Sequence, residues 1–271
     1  MSQEPQLTFG LAKPGKGLVI AMVTLVSVWL FFAVGINFGR AGERVFDALV
    51  GSNAILHGEI WRIFTAPLLH LPSGAGSVGH LLFNVMGLYF LGTTLEERWG
   101  WKRFLAFIYG SAVFAAVAQA LICGFVPVPA LQQPSFFGAL AMVDAVCVAW
   151  ALSYKNSQVR LFFVLPVSGI GLLLFTLFIN IMYILGSDAH HDGLITPLAG
   201  MLAGYLFGDT SPLRIWYLQR RFKKLQSESA VLRGARLAGA GPRLRAIEGG
   251  LSGSRSSDDK AKSPTDKRHL N

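Results

Sequence analysis

The chain has 271 residues, of which 52% are hydrophobic and only 14% charged, and its mean hydropathy is +0.48. Soluble domains are about 45–50% apolar and about 25% charged, so this composition excludes an ordinary water-soluble globular protein. The net charge of +9 is unevenly distributed, because residues 1–211 hold ten basic and ten acidic side chains while residues 212–271 hold fourteen and five. The sequence therefore combines a neutral, apolar body with a basic C-terminal tail.

The apolar body divides into segments close to the ~20 residues that a helix needs to cross a hydrocarbon layer of about 30 Å. We predict six membrane-spanning helices, at residues 18–38, 80–95, 104–125, 136–154, 159–185 and 194–207. The loop between the first two spans is too apolar to be solvated and too interrupted to span. We expect it in the outer interface, with Trp61 at headgroup level. The predicted fold class is an all-α membrane protein.

Basic residues predict the orientation of these spans, because loops rich in Lys and Arg stay in the cytoplasm. On this map 21 of the 24 basic residues lie on one side, and only Arg40, Arg44 and Arg62 lie on the other. Both termini are therefore predicted to be cytoplasmic. The first apolar run is longer than a signal-peptide core and is interpreted as a retained anchor, and we expect the plasma membrane of a bacterium.

The predicted domains are a cytoplasmic segment (1–17), the membrane domain (18–211) and the basic tail (212–271). Basic residues directly after the last span attract anionic lipid by about 1 kcal/mol per charge, or else serve only to set the topology. Apolar residues between them predict a short interfacial helix up to about Leu225, with disorder beyond Gly234. No aromatic platform indicates a nucleic-acid partner.

Three polar residues inside the predicted spans carry the strongest signals. His80 and Asn84 are four residues apart and share one face of the second span. They either join helices by hydrogen bonds or direct donors into a cavity, as an oxyanion site requires. Asp144 lies near the middle of span four, where an unpaired carboxylate costs roughly 2.5–3.5 kcal/mol. It is expected either to line a cavity or to lock helices together.

Other polar or reactive residues carry weaker signals. Cys123 and Cys147 fall within spans and are expected to be packing residues. The sequence has no GxxxxGK, HExxH or CxxC motif, so neither a cofactor nor a metal is predicted. The loop before the last span contains four polar residues that could bind a metal ion: Asp188, His190, His191 and Asp192. The favoured interpretation of this loop is a solvated polar segment without a metal.

Several motifs follow one another along the chain: Trp61-Arg62, Phe64-Thr65, His70, His80 with Asn84, Gly92, Glu96, Gly100, and Gly200 with Gly204. In this order they resemble the rhomboid superfamily of intramembrane proteins, over about residues 18–211. The resemblance implies a six-helix bundle in which His80 and Asn84 match the oxyanion-stabilising pair. An insertion of about five residues separates His70 from His80 relative to that pattern.

Active rhomboids pair a serine in a GxSG motif on span four with a histidine on span six, which acts as the base. Here Leu140 stands at the serine position and Pro197 at the histidine position. Neither side chain can act as a nucleophile or exchange a proton. Asp144 falls where active members usually place a tyrosine, and it could pair with His80 or Asn84 as a hydrogen-bonded plug.

The resemblance therefore implies a pseudoprotease that binds transmembrane segments of other membrane proteins without cleaving them. One alternative is an active intramembrane serine peptidase that uses unrecognised residues, with Ser135 and His190 as the nearest substitutes. A third interpretation is a transporter centred on Asp144. Client segments, the lipid bilayer and anionic lipids at the tail are the expected partners, and the oligomeric state is left open.

Overall fold

Apolar runs of the predicted lengths form most of the helices in the computed structural model, which describes residues 13–39, 41–127, 135–155, 158–161, 165–186 and 191–237. The first half of the chain forms α1 (Lys16–Phe38), α2 (Ala41–Leu49), α3 (Trp61–Thr65), α4 (Ser77–Trp99) and α5 (Trp101–Phe125). The second half forms α6 (Leu140–Ser153), β1 (Gln158–Leu161), β2 (Leu165–Ser168), α7 (Gly169–Gly186), α8 (Thr196–Phe207) and α9 (Pro212–Leu237). The predicted all-α membrane fold is confirmed.

Four of the described helices are long and apolar enough to cross a membrane: α1, α4, α5 and α7, with 23, 23, 25 and 18 residues. The apolar helix α6 has only 14 residues. At about 1.5 Å per residue such a helix rises roughly 21 Å, so its flanking residues must contribute to any crossing. The number of six crossings stays a prediction.

Helix α6 forms the centre of the bundle. Each residue from Ala141 to Ala151 is buried, as expected of a helix that is apolar on all sides. Helix α8 lies directly against it, because a Cβ atom on Gly200 would be 2.6 Å from the Ala141 carbonyl oxygen. At Gly204 a Cβ atom would be 2.5 Å from the carbonyl oxygen of Ala145. Small residues thus bring the two backbones into contact.

A buried carboxylate joins α4 to the start of α1. Glu96 accepts hydrogen bonds from the backbone nitrogens of Gly17, at 2.6 Å, and Leu18, at 2.9 Å. These N–H groups lie in the first turn of α1, where no intrahelical acceptor is available to them. The carboxylate therefore satisfies them and complements the positive end of the helix.

The first loop is folded around Arg62. Its Nη1 atom donates to the carbonyl oxygens of Asp47, at 2.5 Å, and Val50, at 2.6 Å, and its Nε atom pairs with Glu59 at 2.6 Å. The Trp61 indole is 47% exposed and donates to the Ala48 carbonyl at 3.0 Å. These bonds hold α2 against α3. Short 3₁₀ helices at Asn53–His57 and Ala66–Leu68 complete the loop.

Two predicted spans begin later than expected. Helix α6 begins at Leu140, because Phe136 forms an antiparallel bridge with Gly51 instead of a helical turn. The segment predicted to span from residue 159 forms the hairpin of β1 and β2, and α7 begins only at Gly169. Proline at position 166 has no N–H and disfavours helix in the residue before it. Hydropathy alone does not register this effect.

The helix after the bundle is longer than predicted. It was expected to end near Leu225 but continues to Leu237, through Gly234, where disorder was predicted. Residues of high helix propensity between these positions account for the extension. The start is capped, because Ser211 accepts a hydrogen bond from the Arg214 nitrogen at 3.0 Å. Residues 238–271 lie outside the described residues.

The backbone packing divides the chain into two units, residues 1–220 and 221–271. The first unit contains the bundle and the beginning of α9. In the second unit, the residues that the structure describes form the C-terminal part of α9. The domain boundaries predicted from the sequence stay a prediction.

The contact between α6 and α8 leads to a first prediction. Gly200→Ala is expected to destabilise the protein by about 1–3 kcal/mol, because the new methyl group must displace the backbone at Ala141. The matched control is Gly110→Ala in α5, where a Cβ atom would meet nothing within 4 Å. This control should be neutral or stabilising by up to about 1 kcal/mol. Thermal unfolding in one detergent measures both, and equal effects would contradict the assigned contact.

Candidate functional site

A histidine and a carboxylate form the polar centre of the bundle. His80, in the first turn of α4, lies with its Nε2 atom 2.8 Å from Oδ2 of Asp192, in the segment before α8. The side chains are 21% and 6% exposed, respectively. The other carboxylate oxygen faces Gly138, where a Cβ atom would overlap it. Gly138 also has a φ of 133°, which residues with side chains rarely adopt.

Asn84 and His70 lie on the other side of His80. The Asn84 Nδ2 atom donates to the His80 carbonyl at 3.0 Å and lies 3.4 Å from Nε2 of His70. The rings of His70 and His80 are 5.2 Å apart between centroids. His70 is only 1% exposed, although it belongs to the first loop, which was expected in the outer interface. Only its position in the motif order indicated a place at the site.

The segment before α8 is fixed by several bonds. Gln119 of α5 accepts hydrogen bonds from the backbone nitrogens of Ile195, at 2.7 Å, and Thr196, at 3.3 Å. The Thr196 hydroxyl donates to the carbonyl of Asp192. The Phe137 nitrogen donates to the His191 carbonyl at 2.7 Å. These bonds hold the Asp192 carboxylate at His80. Gln119 was not identified from the sequence, although an amide side chain inside an apolar span was a signal for it.

Two apolar residues were predicted to stand in place of a catalytic serine and histidine, and this replacement stays a prediction. Leu140 is the first residue of α6, and Pro197 lies in the first turn of α8. Leu140 directly precedes Ala141, and Pro197 lies three residues before Gly200, so both are within one helical turn of the contact between Ala141 and Gly200. A cavity of about 10 Å³ lies here, lined by residues that include Gly138, Ala141, Asp192 and Thr196. This volume admits about one water molecule.

Asp144 has a different partner from the one expected. Its Oδ2 atom accepts a hydrogen bond from Asn180 of α7 at 3.0 Å, and both side chains are buried. The hydrogen bond from Asn180 therefore joins α6 to α7, whereas His80 or Asn84 was the expected partner. The carboxylate locks helices together, but through Asn180 and not through His80 or Asn84 as predicted. Sequence reasoning missed Asn180.

The other predicted residues are distributed around the site. Ser135 is exposed beside the Phe136 bridge, and His191 is exposed, with its ring stacked on Phe137 at 5.8 Å. His190 and Asp188 lie outside the described residues. Within the described ranges no group of three His, Cys, Asp or Glu residues is placed to hold a metal ion. Cys123 and Cys147 are buried and free of disulfides.

The chain is similar to a known family of proteins. The model of the rhomboid domain matches residues 57–211, which is more than half of the chain. The chain belongs to the rhomboid family. It is an integral membrane protein, as the apolar helices independently indicate.

Three curated relatives illustrate the range of the family. The rhomboid protease GluP of Bacillus subtilis is 27% identical over 138 residues, covering 50% of this chain and 26% of that protein. Rhomboid-like protease 2 of Toxoplasma gondii is 27% identical over 168 residues, covering 60% and 54%. Inactive RHOMBOID-like protein 8 of Arabidopsis thaliana is 30% identical over 102 residues, covering 37% and 27%. The chain thus spans about a quarter to about half of these relatives' length.

The burial of His70 leads to a prediction of pH dependence. Burial, reinforced by the neighbouring His80, lowers the pKa of His70 from 6.5 to about 4. Below pH 6.5 the unfolded chain therefore binds a proton that the folded chain does not, and stability falls as the pH decreases towards 4. We expect this contribution to reach about 3 kcal/mol at pH 4 and to be absent in His70→Gln.

Thermal midpoints of both proteins between pH 7 and pH 4 measure the difference. The matched control is His57→Gln, which alters an exposed histidine of the same loop. Its pH profile should follow that of the unmodified protein. Parallel profiles for His70→Gln and the unmodified protein would show that burial does not keep His70 neutral.

Proposed function

We propose that this rhomboid-family protein is a pseudoprotease, which binds transmembrane segments of other membrane proteins without cleaving them. The observation that carries the proposal is the 2.8 Å contact between His80 and Asp192. An oxyanion site must offer free donors to the negative charge that develops in the transition state. The Asp192 carboxylate at His80 occupies one ring N–H donor, and its negative charge repels the negatively charged oxygen of a transition state.

The residues at the dyad positions support the same conclusion. The family mechanism needs a hydroxyl nucleophile and an imidazole base within hydrogen-bond reach. Leucine at 140 and proline at 197 supply neither group, and no change of rotamer or pKa restores them. The loss of both groups, together with the carboxylate at His80, disables two separate parts of the peptidase mechanism.

Exposed apolar faces offer binding surface for a client segment. Helix α7 presents large side chains away from the bundle, including Leu174, at 58% exposed, and Phe178, at 56%. Leu82 and Phe83 of α4 are also more than half exposed. In a bilayer, helices associate through close packing and interhelical hydrogen bonds, so these faces can accept either lipid or another helix.

The orientation follows from the charge pattern. We infer that both termini are cytoplasmic, from the excess of basic residues on one side of the predicted spans. A bacterial plasma membrane is a separate part of this proposal and does not rest on the charge pattern. The basic tail would then lie at an anionic lipid surface. A transporter centred on Asp144 has less support, because Asn180 already satisfies that carboxylate.

A binding and cleavage assay tests the proposal. The full chain is reconstituted with a labelled model transmembrane segment that contains helix-breaking residues, and with a uniform leucine-rich segment as a control. We expect energy transfer to report about threefold to tenfold tighter binding of the first segment, as one or two interhelical hydrogen bonds would provide. Mass spectrometry should find both segments intact. Equal binding of the two segments would contradict the proposal.

A peptidase is the second candidate, and the same pair of residues favours it. A buried aspartate that orients a histidine is the arrangement that activates a nucleophile in serine hydrolases, and a water molecule could take the place of the serine. This candidate would be established if the unmodified protein cleaves the model segment and if both His80→Ala and Asp192→Asn abolish that cleavage. Loss in Ser135→Ala would identify that serine as the nucleophile.

The carboxylate at His80 leads to a separate prediction. Asp192→Asn removes the charge from His80 but keeps a side chain of similar shape, so we expect stability to fall by about 1–3 kcal/mol. Since the dyad positions stay apolar, no cleavage should appear. Thermal unfolding and the cleavage assay measure the two effects. Appearance of a specific product in this variant would mean that Asp192 inhibits a working peptidase.

A further inference from the structure

Three arginines surround one carboxylate at the end of the bundle opposite to the first turn of α4. Arg98 near the end of α4, Arg103 in the first turn of α5 and Arg214 in the first turn of α9 all pair with Asp209. The Nε atom of Arg98 lies 3.2 Å from Oδ2, and Nη2 of Arg103 lies 2.6 Å from Oδ1. We call Arg98, Arg103, Arg214 and Asp209 the arginine cluster.

The cluster carries more positive than negative charge. Asp209 is 9% exposed and also accepts a hydrogen bond from the Trp99 indole at 2.6 Å, so its two oxygens are well satisfied. One carboxylate neutralises only one of the three guanidinium groups. Burial, followed by repulsion from Arg103 and Arg98, lowers the pKa of Arg214. A further anion would relieve this repulsion.

The guanidinium groups keep donors for such an anion. Each has five N–H groups in a rigid fork, and one nitrogen atom of each makes the closest contact to Asp209. The side chains of Arg98, Arg103 and Arg214 are 47%, 38% and 40% exposed. Aromatic rings support two of them, with Arg103 4.7 Å above Trp99 and Arg98 5.9 Å above Tyr154. The donors are therefore accessible and partly pre-oriented.

The position of the cluster identifies the kind of anion. It lies where α4 ends and α5 begins, beside Trp99 and Trp101, and tryptophans at the ends of spanning helices mark the level of the lipid headgroups. The charge bias predicts that this is the cytoplasmic side. The anions concentrated at this level are the phosphodiesters of anionic phospholipids.

We propose that the arginine cluster binds the phosphate group of an anionic phospholipid headgroup. Guanidinium groups bind phosphate through paired N–H donors, which gives a preferred geometry in addition to the charge attraction. Bound phosphate would connect α4, α5 and α9 through one ligand. The site is separate from the general charge of the tail, and it depends neither on client binding nor on proteolysis.

Lipid retention by the full chain tests the site. The protein is reconstituted in phosphatidylcholine with or without phosphatidylglycerol, and native mass spectrometry counts the retained phosphatidylglycerol. Arg103→Gln should weaken retention about fivefold, because it removes a guanidinium group whose paired N–H donors bind the phosphate. Arg103→Lys keeps the charge but loses the fork, and it should lose most of the same binding.

Lys102→Gln is the matched control, because it removes the same charge one residue away, where Lys102 lies 5.5 Å from the Trp101 ring. It should change retention by less than about twofold, since it leaves the three guanidinium groups of the arginine cluster and their paired donors in place. Equal losses in Lys102→Gln and Arg103→Gln, with none in Arg103→Lys, would overturn the proposal in favour of diffuse attraction. A competition experiment adds inorganic phosphate to the lipid-bound protein. If phosphate displaces phosphatidylglycerol at comparable concentrations, the assignment to a lipid is overturned.

A second variant separates binding from folding. Asp209→Asn removes the competing carboxylate and leaves three uncompensated arginines, so retention of phosphatidylglycerol should rise. Its thermal midpoint should fall in phosphatidylcholine and recover in phosphatidylglycerol, because a lipid that binds only the folded state stabilises it. A purely structural cluster would lose stability equally in both lipids, and this result would overturn the proposal.

Discussion

The close contact between α6 and α8 determines the rest of the structure. Gly200 and Gly204 have no side chains, so the backbone of α8 lies directly on Ala141 and Ala145. Such an approach lets two short helices pack firmly inside a bilayer, where lipid is as apolar as leucine and burial of apolar surface gives little gain. The contact also sets how the first turns of the two helices lie against each other, and the segment that carries Asp192 to His80 leads directly into α8. The candidate site depends on this packing as much as on its own polar groups.

The polar residues of the candidate site contact one another inside the scaffold of the rhomboid family. Rhomboid membership establishes the fold, but function depends on the particular groups at the site. Here the Asp192 carboxylate contacts His80, and the apolar residues Leu140 and Pro197 lie in the first turns of α6 and α8. Asn84 donates to the backbone of its own helix at His80. The polar residues of the family pattern thus take part in an internal hydrogen-bond network, which stabilises the junction of α4, α6 and α8.

Hydropathy and residue spacing predicted the helices well where the whole span is apolar, as in α1 and α5. They failed at the β1–β2 hairpin, because average hydropathy does not register the backbone effect of Pro166. The pairing of His80 with Asp192 joins residues that are 112 positions apart, and no local periodicity indicates such a contact. Asp144 was correctly expected to need a partner, but the choice of Asn180 depends on which face of α6 meets α7. Motif order indicated His80 and Asn84, while Gln119 and Asn180 were hidden inside spans that looked purely apolar.

Charged side chains are compensated differently in the interior of the bundle and at the ends of its helices. Within the bundle each of three buried carboxylates has polar partners: Glu96 has two backbone N–H groups, Asp144 has Asn180 and Asp192 has His80. An unpaired charge at that depth has no water to compensate it, so the fold must supply the partner. At Asp209 the balance is reversed, with three guanidinium groups around one carboxylate. Water and headgroups lower the cost of that excess at the membrane surface, so a surplus of positive charge can persist there and attract an anion from the bilayer itself.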